Sequence, residues 1–152
     1  MEIIAYEMTY SGEDIDSSGI ECIPFQPSIF EEYMRIYNDC FYDMRRALDI
    51  EPYHFLNSYE QIADKVENIY LLMKENQIIG SVACYGTVID DLIVNQKYQH
   101  QGYGKQLLLW GMEQIRKDNA KPITLHVAKW NENAVSLYEK VGFVITNSEK
   151  IR

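Results

Sequence analysis

The chain has few basic residues. Lysine and arginine together number 14, against 23 aspartates and glutamates, and the formal net charge at pH 7 is −9. A protein that holds a nucleic-acid backbone needs clustered lysine and arginine, so this balance argues against a nucleic-acid partner. An acidic surface attracts cations instead. We therefore expect the surface to favour a cationic small molecule, such as an amine, as one of its ligands.

Cysteine is also scarce, and no apolar run is long. Cys22, Cys40 and Cys84 form an odd set that lacks the spacing of metal ligands. No apolar run reaches the about 18 to 20 residues that span a bilayer, and no charged, apolar and small-residue leader opens the chain. These absences predict reduced thiols, no metal site, no membrane partner and a cytoplasmic location.

The chain does have enough apolar residues for one core. Its 152 residues fit a single domain, and 47% of them are hydrophobic. Alternating apolar residues predict strands, the first two as a hairpin, over residues 2–10, 20–25, 69–74, 78–85, 88–94, 123–127 and 143–146. Helical spacing predicts helices over residues 28–40, 44–48, 102–117 and 131–141, with a short one from Ser58. The pattern indicates a mixed α+β fold.

One stretch combines a strand, a glycine loop and the start of a helix. The strand from Val88 to Val94 leads into a polar loop, and Gly102 and Gly104 open the helix. Glycines let the backbone approach a ligand, and the first turn of a helix presents unpaired N–H groups at its positive end, so such a place binds phosphate. The loop lacks the nucleotide-binding fingerprints, and a plain turn at a helix start is an equal alternative.

A second stretch, Asn131 to Phe143, changes this interpretation. Together with the pattern Gln99-x-x-Gly102-x-Gly104, it resembles the coenzyme A segments of the GNAT superfamily of N-acetyltransferases, most closely those of diamine and polyamine-type members. The resemblance implies a GNAT-like acyl-coenzyme A N-acyltransferase fold, with a mixed, mostly antiparallel sheet of six to seven strands flanked by about four helices. Within one domain, residues 1–152, it implies an extra N-terminal strand and loop (1–19), an acceptor-side region (20–66) and a cofactor-binding core (67–152).

The resemblance also implies a reaction. An acetyl group would pass from acetyl-coenzyme A to a primary amine of a small molecule, peptide or protein, by direct attack in a ternary complex. A lysine-like amine has a pKa of about 10.4, so its neutral form near pH 7 lies on the order of 4 to 5 kcal/mol uphill, and a base is useful. The leaving thiol has a pKa of about 8.5, so protonating the departing thiolate costs less free energy than deprotonating the amine.

Two residues are the candidates for these tasks. Asp90 matches a position where some family members hold a carboxylate used as a base or water-mediated relay; a solvated acid at the end of a strand is the alternative. Alternation sends Asp90 and Asp91 to opposite faces unless a bulge intervenes, and we interpret Asp91 as accepting a backbone N–H. Tyr138 matches the position of the tyrosine that the resembling family uses as its general acid. A protonated phenol can donate its proton to a leaving thiolate. A packed core tyrosine is the alternative.

The predicted contacts to the cofactor follow the strand, the loop and the last helix. Gln99 stands where arginine is most common, so Lys105 and backbone amides would carry more of the phosphate contact. Asn131 would cap the last helix and hold the pantetheine arm. The full set is Leu92, Ile93, Val94, Gln99, His100, Gln101, Gly102, Tyr103, Gly104, Lys105, Asn131, Asn133, Ala134 and Tyr138.

Other interpretations stay open. A non-catalytic module that binds or senses acyl-coenzyme A would keep the loop but catalyse no reaction, and a nucleotide-binding protein is a weaker third interpretation.

Few residues follow Gly142, too few for the two closing strands that the family usually has. We expect the extra N-terminal strand to fill the missing place, because an exposed apolar edge invites aggregation. A homodimer paired through the shortened edge is a further alternative.

Overall fold

The protein folds around one seven-stranded sheet with three α-helices. A computed structural model describes residues 2–152. The strands are β1 (Ile4–Tyr10), β2 (Ile23–Pro24), β3 (Ile69–Lys74), β4 (Gln77–Tyr85), β5 (Val88–Val94), β6 (Ile123–Ala128) and β7 (Val144–Lys150). The helices are α1 (Phe30–Ala47), α2 (Tyr103–Asp118) and α3 (Glu132–Val141). The strand order is β2-β3-β4-β5-β6-β1-β7, and only β5 and β6 are parallel. The predicted α+β class and mostly antiparallel sheet are confirmed.

The prediction of about four helices was too high, because two predicted segments form one helix. The apolar spacing that begins before Tyr33 continues through Met44, and α1 runs without a break to Ala47. Its start is not capped by Ser28, because a 3-10 turn over Pro27–Ile29 leads directly into it. The segment after Ser58 forms a single 3-10 turn, Tyr59–Gln61.

The predicted hairpin of the first two strands is wrong. β2 pairs with β3, Ile23 lying opposite Leu71. β1 instead lies between β6 and β7, with Ala5 opposite Ala128 on one side and Ile4 opposite Lys150 on the other. The expectation that the N-terminal strand fills the place left by the short C-terminus is therefore confirmed, and β7 becomes the edge strand.

The sheet separates two apolar cores. On one face α2 packs through Leu107, Leu108 and Ile115 against β1, β4, β5 and β6. On the other face Tyr33 and Ile36 of α1 cover β3, β4 and the end of β5. Because both faces are covered, the central strands are apolar on both sides. No helix within residues 2–152 has the length and apolar character needed to cross a membrane.

At Gly80, the strands β4 and β5 and the helix α2 approach one another closely. A Cβ at this position would lie 2.6 Å from the Ile93 carbonyl oxygen and 2.6 Å from Leu107 Cδ1. We expect Gly80→Ala to lower the free energy of unfolding by about 1 to 3 kcal/mol, because backbone has to move. Urea denaturation measures this. The matched control is Gly104→Ala, whose Cβ would meet Leu137 Cδ2 at an ordinary 3.7 Å; equal losses in both variants would contradict the prediction.

Candidate active site

The site begins where β5 and β6 part. Their parallel register comprises Val88 with Thr124 and Ile89 with Leu125, within the described part of the chain. From Asp90 onward the two strands diverge, and main-chain groups of β5 face a gap instead of a neighbouring strand. Unpaired backbone donors and acceptors of this kind can pair with an extended ligand. The divergence therefore creates a cleft in the middle of the sheet.

A β-bulge at Asp91 shapes the wall of this cleft. Ser81 pairs with Ile93 and Ala83 with Asp90, so Val82 alone lies opposite two residues of β5. Asp91 has a φ of 45°, in the left-handed region. The bulge removes the alternation that would send the two carboxylates to opposite faces. Asp90 and Asp91 consequently line one cavity.

The cleft itself has a volume of about 460 Å³ and runs from β5 to the starts of α2 and α3. All the predicted cofactor residues line it except Gln101 and Lys105. Lys105 lines a separate cavity of about 90 Å³ together with Lys140. The predicted phosphate contact of Lys105 thus stays a prediction, and backbone amides are the donors that the cleft offers.

The loop before α2 turns its backbone toward the cleft. His100 and Gly102 both have positive φ, 65° and 89°. Gly102 is the residue before the first helical turn, and no side chain caps that turn. The N–H groups of the turn are therefore left for another acceptor, and the positive end of the helix dipole favours an anion there.

Two side chains hold the carbonyl of Val94 at the centre of the cleft. The Gln99 amide donates to it at 3.0 Å, and the Cys40 thiol donates at 3.1 Å. Burial raises the pKa of Cys40 to about 11, so the group is a thiol rather than a thiolate. Sequence reasoning missed Cys40, because nothing in the pattern shows that α1 reaches this strand.

A second cavity of about 420 Å³ adjoins the cleft. The two cavities share Leu92, Asn131, Ala134 and Tyr138, together with Phe41 and Met44 of α1. We call the second cavity the acceptor-side pocket; its polar residues are Tyr37, Arg45, Asp90, Asp91, His126, Asn131 and Tyr138. Asp90 and Tyr138, predicted from distant parts of the chain, are thus brought into one pocket.

Tyr138 lies at the junction of the two cavities. Its side chain is 9% exposed, and its ring packs against Phe143 with centroids 6.1 Å apart. Burial and the negative charge of Asp90 raise its pKa to about 12. Tyr138 therefore packs in the core and also lines both cavities. Its role as the general acid stays a prediction. Asn131 caps α3, as predicted, by accepting the Ala134 N–H at 3.3 Å.

The predicted hydrogen bond from a backbone N–H to Asp91 is wrong. Asp90, not Asp91, accepts a backbone N–H, that of Asp91 at 2.8 Å. The Asp91 carboxylate instead accepts a long hydrogen bond, 3.5 Å, from the Tyr37 hydroxyl. Burial, reinforced by the charge of Asp90, raises the pKa of Asp91 to about 6, against the opposing effects of Lys65 and the Tyr37 bond. Asp91 is therefore a second acidic group of the pocket.

Opposite the aspartates, His126 lies on β6 and pairs with Glu7 of β1, with 3.4 Å between its Nε2 and a carboxylate oxygen. The wall that β6 forms is thereby held by the N-terminal strand. Among the described residues, no group of three histidine, cysteine or acidic side chains is arranged to hold a metal ion.

The raised pKa of Asp91 predicts a pH-dependent effect on stability. Ionising this carboxyl disfavours the folded state, so the destabilisation is absent below about pH 4 and complete above about pH 6. We expect Asp91→Asn to raise the free energy of unfolding by about 1 to 3 kcal/mol at pH 7.5 and to give no gain at pH 4. Urea denaturation at both pH values measures it. Asp43→Asn, at an exposed position of α1, is the control; a gain of equal size in that variant, or one that persists at pH 4, would contradict the assignment.

Comparisons with known proteins agree with this geometry. The profile of the acetyltransferase (GNAT) family matches residues 30–143. L-ornithine N5-acetyltransferase NATA1 of Arabidopsis thaliana is 33% identical over 61 residues, which are 40% of this chain and 27% of that protein.

Two solved structures share the fold. A GNAT acetyltransferase from Colwellia psychrerythraea superposes with a TM-score of 0.74 at 10% identity, covering 97% of this chain and 54% of that one. YjaB from Escherichia coli, in its apo form, superposes with a TM-score of 0.61 at 21% identity, covering 84% of each chain. The chain thus spans only part of the length of the ornithine enzyme and of the Colwellia protein. Because the family profile covers most of the sequence, the protein belongs to the acetyltransferase (GNAT) family.

Proposed function

We propose that the protein transfers an acetyl group from acetyl-coenzyme A to a primary amine by direct attack in a ternary complex. The observation that carries the proposal is the junction at Tyr138, where a cleft that ends at the uncapped start of α2 meets a pocket with two carboxylates. One cavity suits an extended anionic carrier, and the other suits a cation. Family membership supports the reaction class, and the name of the ornithine N5-acetyltransferase relative supports an amine as the acceptor.

In this proposal the cleft holds the carrier mainly through main-chain groups. The first-turn amides of α2 bind its diphosphate, and the diverging edge of β5 contacts its extended arm. At Val94 the group available is the N–H, because Gln99 and Cys40 already hold the carbonyl. Asn131, placed where the two cavities meet, orients the end of the arm. These contacts need no cation, which suits a protein with a net charge of −9.

Starting from the ammonium form of the acceptor, the chemistry needs two protons to leave the nitrogen and one to reach the sulfur. Asp90 accepts the ammonium proton, directly or through water, and the neutral nitrogen then attacks the thioester carbonyl. As the C–N bond forms and the C–S bond breaks, the Tyr138 hydroxyl donates its proton to the departing sulfur. A phenol with a pKa of about 12 is fully protonated at neutral pH, so it can serve as this acid. The nitrogen loses its second proton to solvent as the amide forms. Solvent then reprotonates the Tyr138 phenolate and takes the proton from Asp90, so each turnover releases one proton in total.

The acidic pair also favours the acceptor electrostatically. Asp90 is exposed to the pocket and Asp91 is largely ionised at pH 7.5, because its pKa is about 6. Two neighbouring carboxylates attract a protonated amine and hold it until it loses its proton. The pair thereby supplies both the binding and the deprotonation of a cationic acceptor.

Free thiol release from acetyl-coenzyme A, followed with a panel of primary amines, tests the proposal. We expect Tyr138→Phe to lower kcat by about 10²- to 10⁴-fold with the fold intact, because the donor is lost but the ring still packs. Tyr70→Phe is the matched control, since Tyr70 packs on Trp110 outside both cavities; its kcat should not change. Binding of coenzyme A without thiol release for any amine would favour the non-catalytic module, and an unchanged kcat in Tyr138→Phe would remove this residue from the mechanism.

A further inference from the structure

The character of the residues that line the acceptor-side pocket changes along α1. Tyr37, Phe41, Met44 and Arg45 all line it, and their spacing places them along one side of the helix. Arg45 lies eight positions after Tyr37, which is about 12 Å along the helix axis. The end at Tyr37 carries the aspartates, the middle is apolar, and the far end carries a guanidinium. The pocket therefore has an acidic end and a basic end.

Arg45 is held in place without losing most of its donors. Its Nη1 donates to the Pro52 carbonyl at 3.1 Å, and its Cζ lies 4.6 Å from the centroid of the Phe55 ring. A guanidinium has five N–H donors in a rigid fork, so this arrangement fixes its plane and leaves further donors for another group.

Among the described residues, no carboxylate forms an ion pair with this guanidinium. Within residues 2–152 the ion pairs that lysine and arginine side chains form are Arg35 with Asp39 and Lys150 with Glu2. Asp90 and Asp91 line the same pocket but do not pair with Arg45. In a chain with a net charge of −9, a partly buried arginine that faces a pocket and lacks an acidic partner is conspicuous. Its natural partner is a planar anion, which a guanidinium binds through two parallel hydrogen bonds.

The anion is not a phosphate of the carrier. Arg45 lines the acceptor-side pocket and does not line the cleft that leads to the start of α2. An anion bound at Arg45 therefore belongs to the acceptor. Along the apolar middle, Phe41 and Met44 offer a surface for a methylene chain between that anion and the amine.

We propose that the acceptor is an amino acid with a terminal amine, whose carboxylate pairs with Arg45 while its amine reaches Asp90. This inference rests on the proposed function and names the substrate class of that site. Arg45 is the specificity-determining residue. A plain diamine or polyamine would place its second ammonium group near the guanidinium with no carboxylate to pair with it, and this uncompensated like-charge contact selects against it.

Two acceptors that differ only in the carboxylate test the proposal: ornithine and 1,4-diaminobutane. We expect the wild-type protein to use ornithine with a kcat/KM at least about 10-fold above that of the diamine. Arg45→Gln should lower kcat/KM for ornithine by about 10- to 100-fold, mainly through KM, because a charge-assisted hydrogen-bonded pair is lost. The same variant should leave the diamine unchanged or improved, and Arg45→Lys should fall between wild type and Arg45→Gln.

Arg46→Gln is the matched control. Arg46 neighbours Arg45 in the last turn of α1 and is exposed outside the pocket, so its replacement removes the same charge from the same helix end. The ratio of the two acceptors should stay at the wild-type value.

A wild-type preference for the diamine, or a ratio that is the same in wild type and Arg45→Gln, would overturn the assignment. An equal loss for both acceptors would also overturn it, because that result is expected if Arg45 only anchors the segment around Pro52. These outcomes leave the proposed function standing, since thiol is still released. Absence of thiol release with every amine would instead remove the proposed function, and this inference with it.

Discussion

The divergence of β5 from β6 is the constraint on which the rest of the site depends. Within residues 2–152 only Val88 and Ile89 of β5 pair with β6, so the edge of β5 beyond them faces a cleft instead of a strand. The bulge at Asp91 turns two carboxylates toward the space that opens. The same divergence leaves room for Tyr138 of α3 to reach the junction of both cavities. A sheet paired along its full length would have neither the cleft nor the pocket. The cofactor cleft, the acidic pair and the phenol are thus consequences of one interruption in strand pairing.

The parts of the fold that local patterns determine were predictable. The strand over Val88–Val94 and the glycine-opened α2 lie close to their predicted bounds, and Asn131 caps α3. Most of the predicted cofactor residues meet in one cleft because that motif is almost contiguous in the sequence, with only α3 arriving from elsewhere. Asp90 and Tyr138 are far apart in the sequence, and the family resemblance was what placed both at the site.

The parts that depend on distant partners were not predictable. The sequence of β1 predicts one strand of a local hairpin. In the structure β1 instead lies between β6 and β7, which are more than a hundred residues away in the sequence. No glycine marks the bulge at Asp91, so its positive φ has no signature in the sequence. The pocket-lining positions of α1, Arg45 included, read as an ordinary helix until the fold shows what they face. It follows that β1 and α1, which complete the pocket, were the least predictable elements of the site.

A crystal structure of the protein with coenzyme A bound tests the central claim most directly, because it locates both ends of the carrier at once. The account predicts the diphosphate on the main-chain amides of residues 100–105 and the sulfur beside the Tyr138 hydroxyl, at the junction with the pocket that holds Asp90. A glycine loop that stays empty or is filled by side chains, or a phenol that points away from the sulfur, would contradict it.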